Sequence, residues 1–142
     1  MVAGGTIRSM ARRNANTAGW LDRAGFDRLV GEALDSLPPG VRRWLENVEV
    51  LVAERPTRAQ LAGVDLDDMY DLLGLYEGTP LTERGVAHGM VEPDRVTLFR
   101  LPILAVCQTA AEVRDEVRQT VLHELAHHFG IDDDRLEALG AY

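Results

Sequence analysis

The chain has 142 residues, 46% hydrophobic and 27% charged, with a formal net charge of −8 and a pI near 4.9. That length suits one domain burying about two-thirds of its unfolded surface. The acidic balance argues against nucleic acid as the main partner, because phosphate binding needs a cationic surface. The longest apolar stretch, residues 101–107, is broken by Pro102 and far too short to span a bilayer.

Residues 1–21 carry Arg8, Arg12 and Arg13 and no acid, and they lack a continuous apolar run. They read as an unstructured tail rather than a secretory signal, leaving 22–142 as a single domain. Cys107 is the single cysteine, so no internal disulfide can form and a reducing, cytoplasmic setting is expected. Its neighbours Ala105 and Val106 favour a buried structural thiol over a ligand or nucleophile.

Phe26, Leu29, Val30, Ala33, Leu34 and Leu37 recur at helical spacing and predict an amphipathic helix stopped by Pro38-Pro39-Gly40. A short helical turn over residues 41–46 should place Trp44 and Leu45 toward the core. Val48, Val50 and Val52 alternate with Glu49, Leu51 and Ala53, the pattern of a strand with one buried face. Thr57-x-x-Gln60 has the form of a capping box. Asp65, Asp67, Asp68 and Asp71 lack the spacing of a calcium loop and read as a solvated acidic face.

Residues 73–85 hold several glycines and are expected to form a loop bordering a substrate cleft, with no phosphate-cradle pattern. His88 is the one histidine outside the C-terminal motif and reads as an exposed loop residue. Residues 94–100 alternate Val96 and Leu98 against Arg95, Thr97 and Phe99, a second strand expected to stop at Pro102. Thr109 to Glu112 then opens a long helix. Val113, Val117, Val121, Leu122, Leu125, Ala126 and Phe129 form its core-facing surface, and Glu116, Thr120, His123 and His127 fall along a neighbouring face.

That helix carries His123-Glu124-Leu125-Ala126-His127-His128-Phe129-Gly130-Ile131-Asp132-Asp133. Histidines four apart lie on one helical face with Cβ atoms about 5–6 Å apart. Both imidazoles can therefore approach one zinc ion to about 2.0–2.1 Å. Glu124, beside them, is placed to take a proton from a water activated by the metal. Gly130 offers a left-handed helix end, after which the chain can reverse. A third protein ligand is needed beside a water, and Asp133 is the first choice, with Asp132, Asp134 and Glu137 as alternatives. The choice assumes that Asp134-x-x-Glu137 caps a final short helix and leaves Asp133 to the metal. His128 is expected at the surface, with a hydrogen-bonding role behind the metal ligands as the alternative. The bland alternative, a histidine-rich surface helix, leaves the offsets of Gly130 and Asp133 unexplained.

From Phe26 onward the chain resembles the small bacterial zincin-like metallopeptidases, sometimes described as minimal zincins. The resemblance rests on Leu73-Gly74-Leu75-Tyr76-Glu77-Gly78, Pro93-Asp94-Arg95-Val96, and the string His123 to Ile131 with Asp133. It implies an α+β fold in which an active-site helix packs on a small mixed sheet whose edge strand borders the cleft. It also implies a hydrolase cleaving a peptide or protein substrate with Zn2+ held by His123, His127 and Asp133 and with Glu124 as general base. An extended substrate is expected to lie antiparallel along residues 95–99. His88, Tyr76 and Tyr142 are candidates for stabilising the oxyanion. A second reading is a zinc-stabilised binding or regulatory module with weak or no hydrolysis. Glu124 separates the two, because a structural zinc site has no use for a general base.

Overall fold

The computed structural model describes residues 3–7, 19–78, 93–138 and 140. Helix α1 (Arg23–Asp35) begins where the Asp22 carboxylate accepts the Gly25 N–H at 2.8 Å. It buries the expected stripe of Phe26, Leu29, Val30 and Ala33. Pro39 occupies the first position of α2 (Pro39–Arg42), where a missing N–H costs nothing. A 3₁₀ turn (Arg43–Leu45) then lays Trp44 and Leu45 against the core. The expected strand follows as β2 (Val48–Ala53), although its inward face is only half-buried. Helix α3 (Arg58–Gly63) carries a full capping box: Thr57 Oγ1 accepts the Gln60 N–H at 3.0 Å, and the Thr57 N–H donates to Gln60 Oε1 at 2.9 Å. Among the acids that follow, Asp65 and Asp67 are exposed, while Asp68 caps a 3₁₀ turn (Met69–Asp71) through the Tyr70 N–H.

Three expectations are corrected here. The first is the loop at residues 73–85, whose opening part is β3 (Leu72–Glu77). Leu72, Leu73, Leu75 and Tyr76 are all buried, so this strand is covered on both faces and shows no alternation to read. The rest of that loop, with His88, lies outside the described residues. Secondly, β4 (Asp94–Phe99) does not end at Pro102. The chain passes directly into α4 (Arg100–Val106), and Pro102 sits in its first turn, where no intrahelical N–H bond is due. Thirdly, residues 3–7, inside the segment read as an unstructured tail, form strand β1 (Ala3–Ile7) by pairing with β3.

The four strands make one mixed sheet in the order β1-β3-β4-β2. β1 and β4 each run antiparallel to β3, and β2 runs parallel to β4. Helix α5 (Ala110–Phe129) and α1 cover one face, where Leu73, Tyr76, Val96 and Leu98 join the main core. A smaller cluster of Leu72, Leu75 and Phe99 lies apart from it, beneath Leu61, Val64 and Leu66. With α5 on a small mixed sheet, the fold is α+β. No helix among the described residues is long and apolar enough to cross a membrane.

One contact seats α5 on the sheet, and another ties the ends of β2 and β4 together. At Gly74, an added Cβ would stand 2.5 Å from Thr120 Cγ2, so helix and strand approach closely only because that residue is glycine. At the far end of the sheet, Arg100 grips both oxygens of Glu54 at 2.7 Å and also donates to the Leu21 carbonyl. The guanidinium's hydrogen bonds hold the Glu54 carboxyl below its ordinary pKa.

Candidate metal centre

The motif helix α5 is well closed at both ends. Thr109 Oγ1 accepts the Glu112 N–H at 3.1 Å, and Glu112 reaches back to the Gln108 N–H at 3.2 Å. At the other end Gly130 adopts φ 66° and ψ 36°, and the Ile131 N–H returns to the Ala126 carbonyl at 2.8 Å. This is the left-handed C-cap anticipated from the glycine. Val113, Val117, Val121, Leu122, Leu125 and Ala126 are buried as expected. Phe129 is corrected: 45% of it is exposed, and it stands among Trp44, Tyr76 and His128.

The polar face expected along Glu116, Thr120, His123 and His127 divides in two. Glu116, Thr120 and Glu124 follow at four-residue intervals and are buried against the sheet. His123 and His127 form the adjacent stripe and are exposed. Glu124 is only 4% exposed, and its Oε1 accepts the Tyr76 backbone N–H of β3 at 2.8 Å. A buried carboxylate must have such donors, since leaving it without one costs several kcal/mol.

His128 departs from its expected surface position. Its ring stacks on Tyr76 with centroids 3.9 Å apart and planes 13° from parallel, and its Nε2 lies 3.6 Å from Asp94 Oδ2. The Tyr76 hydroxyl donates to the same Asp94 oxygen at 2.8 Å. Tyr76 therefore touches the motif twice: its backbone holds Glu124 and its ring carries His128. Of the residues named for the oxyanion, Tyr76 has its hydroxyl engaged by Asp94, while His88 and Tyr142 lie outside the described residues. Sequence reasoning missed the Tyr76–Asp94 pair. The signal was present, because both residues stand in the short strings that carried the family resemblance.

Beyond Gly130 the capping assignment changes. Asp132, not Asp134, accepts the Arg135 N–H, at 2.9 Å, and opens α6 (Asp133–Ala138). Asp133 lies in the first turn of α6 and is exposed, as are Asp132, Asp134 and Glu137. Among the described residues, no three His, Cys, Asp or Glu side chains are gathered closely enough to hold a metal ion. The donor chemistry nevertheless suits a divalent cation such as zinc. Two exposed imidazoles lie one turn apart on a rigid helix, and exposed carboxylates follow directly after its left-handed turn.

The substrate strand expected at residues 95–99 is corrected by the sheet order. β4 is paired along both sides, to β2 and to β3, so its backbone has no edge to offer. The strand that touches the motif glutamate is β3.

The fold and the motif together describe a peptidase-like scaffold, and comparison with known families agrees. The sequence model described as zincin-like metallopeptidase matches residues 45–141. The chain belongs to that family. No curated protein matches it.

Proposed function

We propose that the chain is a zinc-dependent peptidase with Glu124 as its general base and with His123, His127 and Asp133 holding the metal. The observation that carries this reading is the pairing of a buried, strand-anchored Glu124 with two exposed histidines on either side of it along α5. A helix that merely displayed histidines to solvent would have no need to bury the intervening carboxylate and fix it to the sheet.

Zinc held there would supply Lewis acidity, acidifying water and polarising the scissile carbonyl. Glu124 takes a proton from the attacking water and later gives it to the leaving amine. The Tyr76 N–H fixes one carboxylate oxygen, which restricts the directions from which Glu124 can accept that proton. An extended substrate would pair along the side of β3 that faces away from β4, where it must take the place of β1 to gain backbone hydrogen bonds.

Glu124→Gln tests the reading. Glutamine keeps an acceptor for the Tyr76 N–H, so the fold and zinc content should persist. Cleavage of a peptide library should fall by about 10²–10⁴-fold, the usual contribution of a general base. Equal inertness of both with zinc bound would favour the module without hydrolysis, and equal cleavage by both would remove Glu124 from the general-base role.

A further inference from the structure

The side of β3 that faces away from β4 is already occupied by the chain's own N-terminal strand. β1 runs antiparallel to β3 with Ala3 opposite Glu77, Gly4 opposite Tyr76 and Gly5 opposite Leu75. The family match begins at residue 45, so β1 comes from outside the matched segment. Within that segment the strands are β3, β4 and β2, and β3 forms the sheet edge. β1 is thus an addition to that edge, and it pairs with the same residue, Tyr76, whose N–H holds Glu124. Helix α5 packs against both β1 and β3. The result is a would-be general base that is 4% exposed, on a helix flanked by a strand from outside the matched segment.

We propose that the β3 edge is a strand-binding site and that residues 3–7 are its built-in competitor, a displaceable strap lying where substrate backbone would pair. The claim that this edge receives substrate rests on the peptidase reading; the exchange of strands does not. Strand addition gains its affinity from backbone hydrogen bonds, so any extended peptide competes with β1 for the same donors and acceptors. Specificity would come from the positions opposite Tyr76 and Leu75. In β1 these are Gly4 and Gly5, and because adjacent strand positions face opposite sides, only Gly4, opposite Tyr76, shares the face that α5 covers. The favoured occupant is therefore an extended segment with a small residue opposite Tyr76, on the α5 side. A tethered strand acts at an effective concentration of about millimolar, enough to keep free peptides off unless the strap is released.

The test uses the full chain, free of metal, with a fluorescein-labelled peptide of the sequence of residues 1–9. In an antiparallel pair, alternate residues direct their N–H groups to the neighbour. Replacing both Gly4 and Gly5 by proline therefore removes the pairing donor whichever residue carries it. Fluorescence anisotropy should show the peptide binding this variant at least tenfold more tightly than wild type. Amide exchange at β3 should accelerate in the variant and slow again when peptide is added. A second variant, Ala3→Cys with Glu77→Cys, joins the two strands at a paired position. Oxidised, it should bind no peptide, and reduction should restore the wild-type affinity, so the idea stays testable should the proline variant not fold. Equal binding to wild type and proline variant overturns the strap, as does no binding to either, or binding unaffected by the disulfide. Peptide exchange in a chain that takes no zinc and cleaves nothing would leave the strap standing and sink the peptidase reading. Zinc-dependent cleavage with equal peptide binding would do the reverse.

Discussion

Adjacent stripes of the last turns of α5 are prepared to different degrees. On the buried stripe, Glu124 is enclosed, bonded to the β3 backbone, and flanked by Thr120 where Gly74 lets the helix press on the strand. On the exposed stripe, His123 and His127 face outward, and the carboxylates beyond Gly130 are not gathered with them. On the proposed reading, the group that would move the proton is set by the fold, whereas the proposed ligands would have to be drawn together by the ion. Metal binding in such an arrangement would carry the cost of ordering the ligands, with Glu124 already in place. His128 belongs with the fixed stripe despite following His127 directly, because stacking on Tyr76 and proximity to Asp94 tie it to the sheet.

Three substitutions probe that division. Gly74→Val attacks the fixed side. Its side chain meets Thr120, and Thr97 O lies only 3.3 Å from the new Cβ, so α5 must shift off β3. We expect a loss of about 1–3 kcal/mol in chemical denaturation, together with loss of the Tyr76–Glu124 bond, seen as faster amide exchange at Tyr76. Unchanged stability would mean that the close approach is not what seats the helix.

Gly130→Ala acts at the junction of the two stripes. No atom lies within 4 Å of the added Cβ, so the cost is the left-handed backbone alone, about 1 kcal/mol. The same change should weaken zinc binding several-fold, because it disturbs the turn that leads to Asp133. A stability loss without any change in zinc affinity would detach Asp133 from the ligand set.

Glu54→Ala serves as the remote control. It removes a bidentate partner from Arg100, whose side chain is only 11% exposed. Glu54 itself is 44% exposed, so solvent screening keeps the loss to about 1 kcal/mol or less. Zinc affinity should not move. Because the folded pKa of Glu54 is depressed, the pair contributes fully at neutral pH and its contribution fades as the pH falls through that lowered value. Wild type and variant should therefore converge in stability in acid, as followed by thermal unfolding at several pH values.

Much of this arrangement was legible in the sequence, and the reasons for the gaps are physical. Local rules read well where the chain satisfies them locally. The Phe26 to Ala33 stripe, the Thr57 capping box, the Thr109 cap and the left-handed Gly130 each depend on residues within one or two turns. β3 was misread because burial on both faces erases the period-two pattern and because Gly74, a loop signal by composition, is demanded by a helix 46 positions later in sequence. Pro102 looked like a strand stop but fits the first turn of a helix equally well. Three successive acids at 132–134 gave capping rules no means of choosing, and Asp132 took the role. The histidine spacing pointed to a metal-binding face, but nothing local disclosed that Glu124 bonds to Tyr76, a contact across 48 positions.

The most direct test is metal analysis of the full chain purified without added zinc, beside His123→Ala and His127→Ala. We expect about one zinc per wild-type chain and a loss of affinity exceeding about a hundredfold in each variant. Both histidines are exposed, so the metal-free variants should unfold within about 0.5 kcal/mol of metal-free wild type. A wild-type chain that takes up no divalent metal, or variants that retain it undiminished, would contradict the account.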